Sequence, residues 1–225
     1  MKFFKNIFLH NWLAIIYFNF KILPFKQAIH LPFDFYGKIR FVNLKGKISL
    51  NVNTIHPGMI KIGSQGTDMF PLNPVILDIR GNIIFNGYFY IGCGSTIRVE
   101  PTATLLIGNS SRIGANSLIF CEEEISIGNN VEFSWNCQVM DTDRHYIQDI
   151  VTKKIYPSKA PIVIRNNVWI GNHVSINKGC IIPDNTIVAS NSLCNKDYSS
   201  IACYSVIGGY PAKQIASNKV RIWEK

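Results

Sequence analysis

From Ile91 onward, aliphatic residues return every six positions. In the clearest stretch, residues 164–193, the chain divides into IRNNVW, IGNHVS, INKGCI, IPDNTI and VASNSL. The first places are Ile164, Ile170, Ile176, Ile182 and Val188, and the fifth places, Val168, Val174, Cys180, Thr186 and Ser192, are all small or β-branched. Ile, Leu and Val make up about 27% of the chain, so five in five has a chance of about one in 700 in a given frame. The same period runs upstream with phase slips, through Ile91 and Ile97, then Ile107, Ile113 and Ile119, then Ile127, Phe133 and Val139. Gly follows the lead residue at Gly92, Gly108, Gly114, Gly128 and Gly171.

A period of six suits neither a helix nor a flat amphipathic strand. It suits a coil with flat sides, where each side is a short strand and each corner a turn. The lead aliphatic points inward, and Gly or Asn serves corners where φ is often positive. This is the pattern of a hexapeptide β-helix, in which three sides make a coil of about 18 residues. Stacked coils bury one continuous aliphatic core. The repeat stops after Val139 and resumes at Ile162, so a loop at about 140–161 is extruded from the solenoid. A break of this length in a regular array points to function.

Upstream the pattern changes. Residues 31–85 hold short β-like runs, KIRFVNL, KISLNV, MIKIG and NPVILDI, broken by Gly, Pro and Asn. Residues 1–30 read as an amphipathic helical leader, with Phe4, Phe8, Trp12, Ile15, Ile16 and Phe20 at three- and four-residue steps. Lys2, Lys5, Lys21 and Lys26 surround them. Two roles are open to the leader: an interfacial helix on anionic membrane, or packing on its own protein or a neighbouring subunit. The apolar run Trp12–Phe18 is far shorter than the roughly 20 residues of a membrane span. The expected organisation is a leader at 1–30, a β-helix at 31–215 and a tail at 216–225.

Composition narrows the class. The 225 residues are 47% hydrophobic and only 16% charged, which excludes a mainly disordered chain. Isoleucine is 35 residues against 13 Val and 12 Leu, favouring strands. The net charge of +9 suggests an anionic partner, but no block of five or six Lys and Arg appears, so no nucleic-acid partner is expected. The six cysteines form no CxxC pair, and no A-x-A-like cleavage site follows the apolar stretch. Free thiols in a reducing cytoplasm are expected, with the inner face of the membrane as an alternative site of attachment.

The stretches IGNNVEF and VWIGNHVSINKG, the sequence MDTDRH and the ending IGGYPAK resemble the hexapeptide-repeat acyltransferases, and within them the O-acetyltransferase branch that modifies sugars and polysaccharides. The resemblance covers about residues 50–225. It implies an all-β, left-handed parallel β-helix, a homotrimer, and acetyl-CoA as co-substrate. His145 stands where the family has its catalytic histidine, and a neutral imidazole suits removal of a hydroxyl proton. Asp143, or Asp141, two and four residues earlier, is placed to reach that imidazole; Asp143 is the favoured partner.

By the same resemblance Trp169, Asn172, Ser190, Asn195, Lys196 and Lys213 line the acetyl-CoA groove, with the two lysines facing phosphate. His173 holds a solvent-facing place beside it. On the acceptor side the candidates are Glu122, Trp135, Asn136 and Asp141. No metal site is expected, because only His145 and His173 fall in the coil, well apart in sequence. The implied reaction is acetyl transfer from acetyl-CoA to a sugar hydroxyl of a surface polysaccharide or its precursor. An N-acetyltransferase acting on an amino sugar and a non-enzymatic β-helix scaffold are the rival readings.

Overall fold

The computed structural model describes residues 10–64 and 69–222. The expected leader positions Lys2, Phe4, Lys5 and Phe8 lie outside the described residues. From Phe33 the chain winds as a parallel β-helix with three faces. The first face stacks, among others, strands Phe33–Phe35, Ile60–Ser64, Phe89–Gly92, Ser111–Ile113, Glu132–Phe133, Trp169–Ile170 and Ile187–Val188. The second stacks seven strands from Ile39–Leu44 to Leu193–Cys194, and the third six from Lys47–Leu50 to Ile181–Ile182.

The pairing confirms the period. Ile164 sits beside Ile182, and Ile170 beside Val188, each three six-residue units on. Every lead and fifth-place residue of the 164–193 stretch is buried. Inward side chains form columns, such as Ile91, Ile113, Phe133, Ile170, Val188 and Ile207 on the first face. Each buried aliphatic contributes roughly 1.5–3 kcal/mol of transfer free energy. The phase slips are corners that have gained residues: Ile107 pairs with Ile127, two places beyond the regular step. The runs at 31–85 belong to the same solenoid, as its first two coils.

Asn and Gly do different work at the corners. Asn116, Asn130, Asn136, Asn167, Asn185 and Asn191 take φ between 54° and 57°. Asn tolerates this left-handed region better than most residues. Asn167 also accepts from Asn130 and donates to Asn185, both at 3.1 Å, tying three coils together. The glycines after the lead residues have no positive φ, contrary to expectation. A Cβ at Gly114 would lie 2.5 Å from the Ser134 backbone carbon, and one at Gly108 2.3 Å from that of Gly128. They are there because successive coils touch.

Both ends of the core are closed, as a solenoid requires. At the start, helix α1 (Trp12–Ile22) is capped by Asn11, whose side chain accepts from the Ala14 N–H at 3.1 Å. It ends before Pro24, and helix α2 (Phe25–Ala28) follows. Phe18 of α1 is fully buried between Phe33, Phe35 and Phe41. The buried Asn19 amide donates to the carbonyls of Ile15 and Phe33 and accepts from the Phe33 N–H. At the far end Tyr198 is buried, and strand Ala212–Ala216 returns antiparallel along Val206–Gly209.

Candidate functional site

The extruded loop leaves the second corner, between the second and third faces, after strand Gln138–Met140. It carries an antiparallel pair, Ile147–Gln148 against Ile155–Tyr156, and returns at Ile162. Asp149 shapes the turn by accepting from the N–H groups of Thr152 (2.7 Å) and Val151 (2.9 Å). Those bonds, the Thr152 N–H first, hold its carboxyl below the usual range.

The base of the loop is pinned by carboxylates. Asp141 is fully buried, and its two oxygens accept from the N–H groups of Glu122 (2.7 Å) and Glu123 (2.8 Å), one coil earlier. It is therefore committed to the backbone, away from the acceptor role expected of it. Glu122 accepts from the Thr142 hydroxyl at 3.0 Å and lies 3.6 Å from the Arg144 guanidinium. Asp143 makes a 2.6 Å ion pair with Lys178, and the same ammonium donates to the Pro157 carbonyl at 2.5 Å. Lys178 thus ties the two legs of the loop together. The expected pairing of Asp143 with the imidazole gives way to this bridge. Nothing in the sequence singled out Lys178, which stands in an ordinary Asn-Lys-Gly corner.

His145 projects from this braced base and is exposed. Among the described residues its imidazole makes no hydrogen bond or ion pair, so both ring nitrogens are open to an incoming group.

The other candidates distribute over the triangle. Trp135 and Asn136, Asn172 and His173, and Ser190 stack in successive coils at the first corner, between the first and second faces. Trp135 sits beside Phe70, with ring centroids 5.9 Å apart. The Asn136 amide nitrogen lies 3.3 Å from His173 Nε2, and the Ser190 hydroxyl donates to Asn172 at 2.6 Å. Asn195 and Lys196 sit at the second corner, above Lys178, and Lys213 on the returning strand of the first face. Trp169 lines a groove of about 450 Å³ on the first face with Glu132, Ile187 and Tyr204. Arg221 covers its ring at 4.8 Å and pairs with Glu132 at 2.8 Å. One chain thus brings together His145, Glu122, Asp141 and Asp143 at one corner, and Trp135, Asn136, Asn172 and Ser190 at another. It does not join the two groups. Among the described residues no cluster of His, Cys, Asp and Glu could hold a metal ion.

One thiol, that of Cys121, donates to Asp141 Oδ2 at 3.6 Å and so helps to hold the base of the loop. Five of the six cysteines are buried, Cys203 alone being exposed. Burial pushes the Cys137 thiol up to about 11, and it likewise raises Cys93 and Cys121.

No protein-family model matches the chain. Among curated proteins it is 33% identical over 128 residues to the galactoside O-acetyltransferase of Escherichia coli K12, covering 54% of this chain and 61% of that protein. It is 30% identical over 136 residues to the polysialic acid O-acetyltransferase of Escherichia coli O1:K1, covering 58% of this chain and 43% of that one. The chain thus spans about half the length of these relatives. Among solved structures, the polysialic-acid-specific acetyltransferase NeuO superposes with a TM-score of 0.60 at 22% identity, covering 86% of this chain and 79% of that one. The fold is accordingly the left-handed parallel β-helix of such acetyltransferases. By sequence the chain is similar, over rather more than half its length, to proteins named as O-acetyltransferases.

Proposed function

We propose that the protein is an acetyl-CoA-dependent O-acetyltransferase that acts on a sugar hydroxyl of a surface polysaccharide or its precursor. The observation that carries this reading is His145, exposed on a loop whose base is locked by Asp141, Asp143, Lys178 and Glu122. A base must be accessible and carried on a positioned segment; His145 is exposed, and the backbone just before it is tied down. The relatives named as O-acetyltransferases support the choice of acceptor.

The chemistry is direct transfer. The imidazole of His145 takes the proton of the acceptor hydroxyl as its oxygen attacks the thioester carbonyl. The carbon–sulfur bond then breaks, and the coenzyme thiolate recovers the proton from the imidazolium. Asp143 acts as a positioning residue, through Lys178 and the loop. Backbone N–H groups near the thioester would stabilise the oxyanion. For acetyl-CoA the fitting groups are the polar corner pair Asn172 and Ser190 and the exposed ammonium groups of Lys196 and Lys213, which suit amides and phosphates respectively. The six free cysteines fit a reducing compartment.

We also propose that the working unit is a homotrimer, because the two groups of candidates lie at opposite ends of the second face. Asn136 and Asp141 are five positions apart, about 16 Å of extended chain at roughly 3.3 Å per residue. That is too far for both corners of one chain to hold one monosaccharide.

The test is a screen of acyl-CoA donors and acceptor sugars, read as release of free thiol. Turnover with acetyl-CoA and a hydroxyl acceptor is expected. His145→Ala should lower it by about 10²-fold or more while acetyl-CoA still binds. Near-normal turnover in that variant, or no thioester cleavage by the parent with any acceptor, would remove the reading.

A further inference from the structure

Helix α1 is apolar on both sides. Its inner side, with Ala14, Ile15, Phe18 and Asn19, closes the first coil. Its outer side leaves Leu13, Ile16, Tyr17 and Phe20 exposed, and Phe25 and Ile29 continue the patch; Leu13 is 84% and Phe25 72% exposed. Capping explains the first set and leaves the second unexplained. A patch of this kind marks an interaction site.

Charge identifies the occupant. Among the described residues, 10–50 hold six Lys and Arg and one acid, so this end carries +5. The single acid, Asp34, is bonded to His10 at 2.7 Å. Between α1 and the edge of the first coil runs a groove of about 540 Å³, lined by Tyr17, Lys21, Phe41, Val42 and Lys45 among others. It sets two ammonium groups beside exposed aromatic and aliphatic surface. A second copy of the chain on this face would bring two strongly positive ends together, which electrostatics opposes. A span is excluded for this helix: its 11 residues reach about 16 Å, half of a bilayer core of about 30 Å.

We infer that the capped first coil docks on an anionic lipid bilayer. The outer side of α1 and Phe25 enter the interface, and Lys21, Lys26 and Lys45 meet the headgroup phosphates. Seated this way, the solenoid stands off the membrane. The His145 loop leaves the fifth coil, about 19 Å from the first at roughly 4.8 Å per coil, so it stays in water.

The test is co-sedimentation of the full chain with vesicles of phosphatidylcholine alone, or with a third phosphatidylglycerol. Binding to the anionic vesicles is expected, falling with salt and weak on the neutral ones. Lys21→Ala and Lys45→Ala should each weaken it by about fivefold. Leu13→Glu with Phe25→Glu should reduce it at least about tenfold with an unchanged melting temperature, since both side chains are already outside the core. Equal binding to both vesicle types, or parental binding by both sets of variants, would overturn the inference. So would an absence of vesicle binding by a parent whose sedimentation coefficient falls on the Leu13/Phe25 substitution, since the occupant would then be another copy of the chain.

Discussion

Lys178 ties down the backbone two residues before His145, although it lies well downstream in the sequence. Its ammonium is shared between Asp143, before the histidine, and the Pro157 carbonyl, on the returning leg. Lys178→Met keeps most of the stem and removes the charge. We expect kcat to fall by about tenfold through loss of orientation while the KM for acetyl-CoA holds, with faster protease cleavage of the 141–161 loop. Lys178→Arg should recover part of both. An unchanged cleavage rate with unchanged kcat would dismiss the bridge as surface charge. His145 was singled out through the family resemblance carried by MDTDRH, where the repeat breaks. Lys178 was not, because a lysine in a corner of the repeat looks like any solvated cation. Asp141 misled for a related reason: a carboxylate near a candidate base suggests a ligand, but its burial against the Glu122 and Glu123 N–H groups is set by the preceding coil.

At the scale of elements, the six-residue period announced the strands because each strand is short and each lead place points inward. The corners were read less well. Asn supplies the left-handed backbone and Gly the close approach, and spacing alone does not separate these two causes. The first two coils escaped the periodicity altogether. Phe33 pairs with Ile60 and Ile60 with Phe89, steps much longer than the regular coil, and their inward places are partly aromatic. The leader's packing role needed the structure, since apolar residues at helical steps suit a membrane surface and a protein core alike, and the part played by Asn19 was not visible in the sequence. The Asn19 amide completes the backbone bonding of Phe33. Asn19→Ala leaves a buried N–H and a buried C=O without partners, at about 2–4 kcal/mol together. For a chain of this length that lowers the melting temperature by about 5–15 °C. Calorimetry finding no change would mean that α1 does not cap the core.

At the scale of the whole molecule, the candidate site poses a problem of geometry that one chain leaves open. The base stands at the second corner with Asn195 and Lys196, while Asn172 and Ser190 stand at the first, with the second face between them. A closed ring of three brings unlike surfaces together at every contact and generates three equivalent sites. The base of one subunit would then face the groove of the next, and sedimentation should give about three times the 25.4 kDa of one chain. A sharper test uses two inactive variants. His145→Ala spoils the base and leaves the groove, while Ser190→Trp fills the groove at an exposed corner and leaves the base. Refolded together in equal amounts, they place an intact base against an intact groove at about a quarter of the interfaces, by random assortment in a closed ring. Activity should return to about a quarter of the parental value from two preparations that each have almost none. A mixture that stays inactive while sedimenting as a trimer would confine the site to one chain, and an active monomer would dispense with the ring.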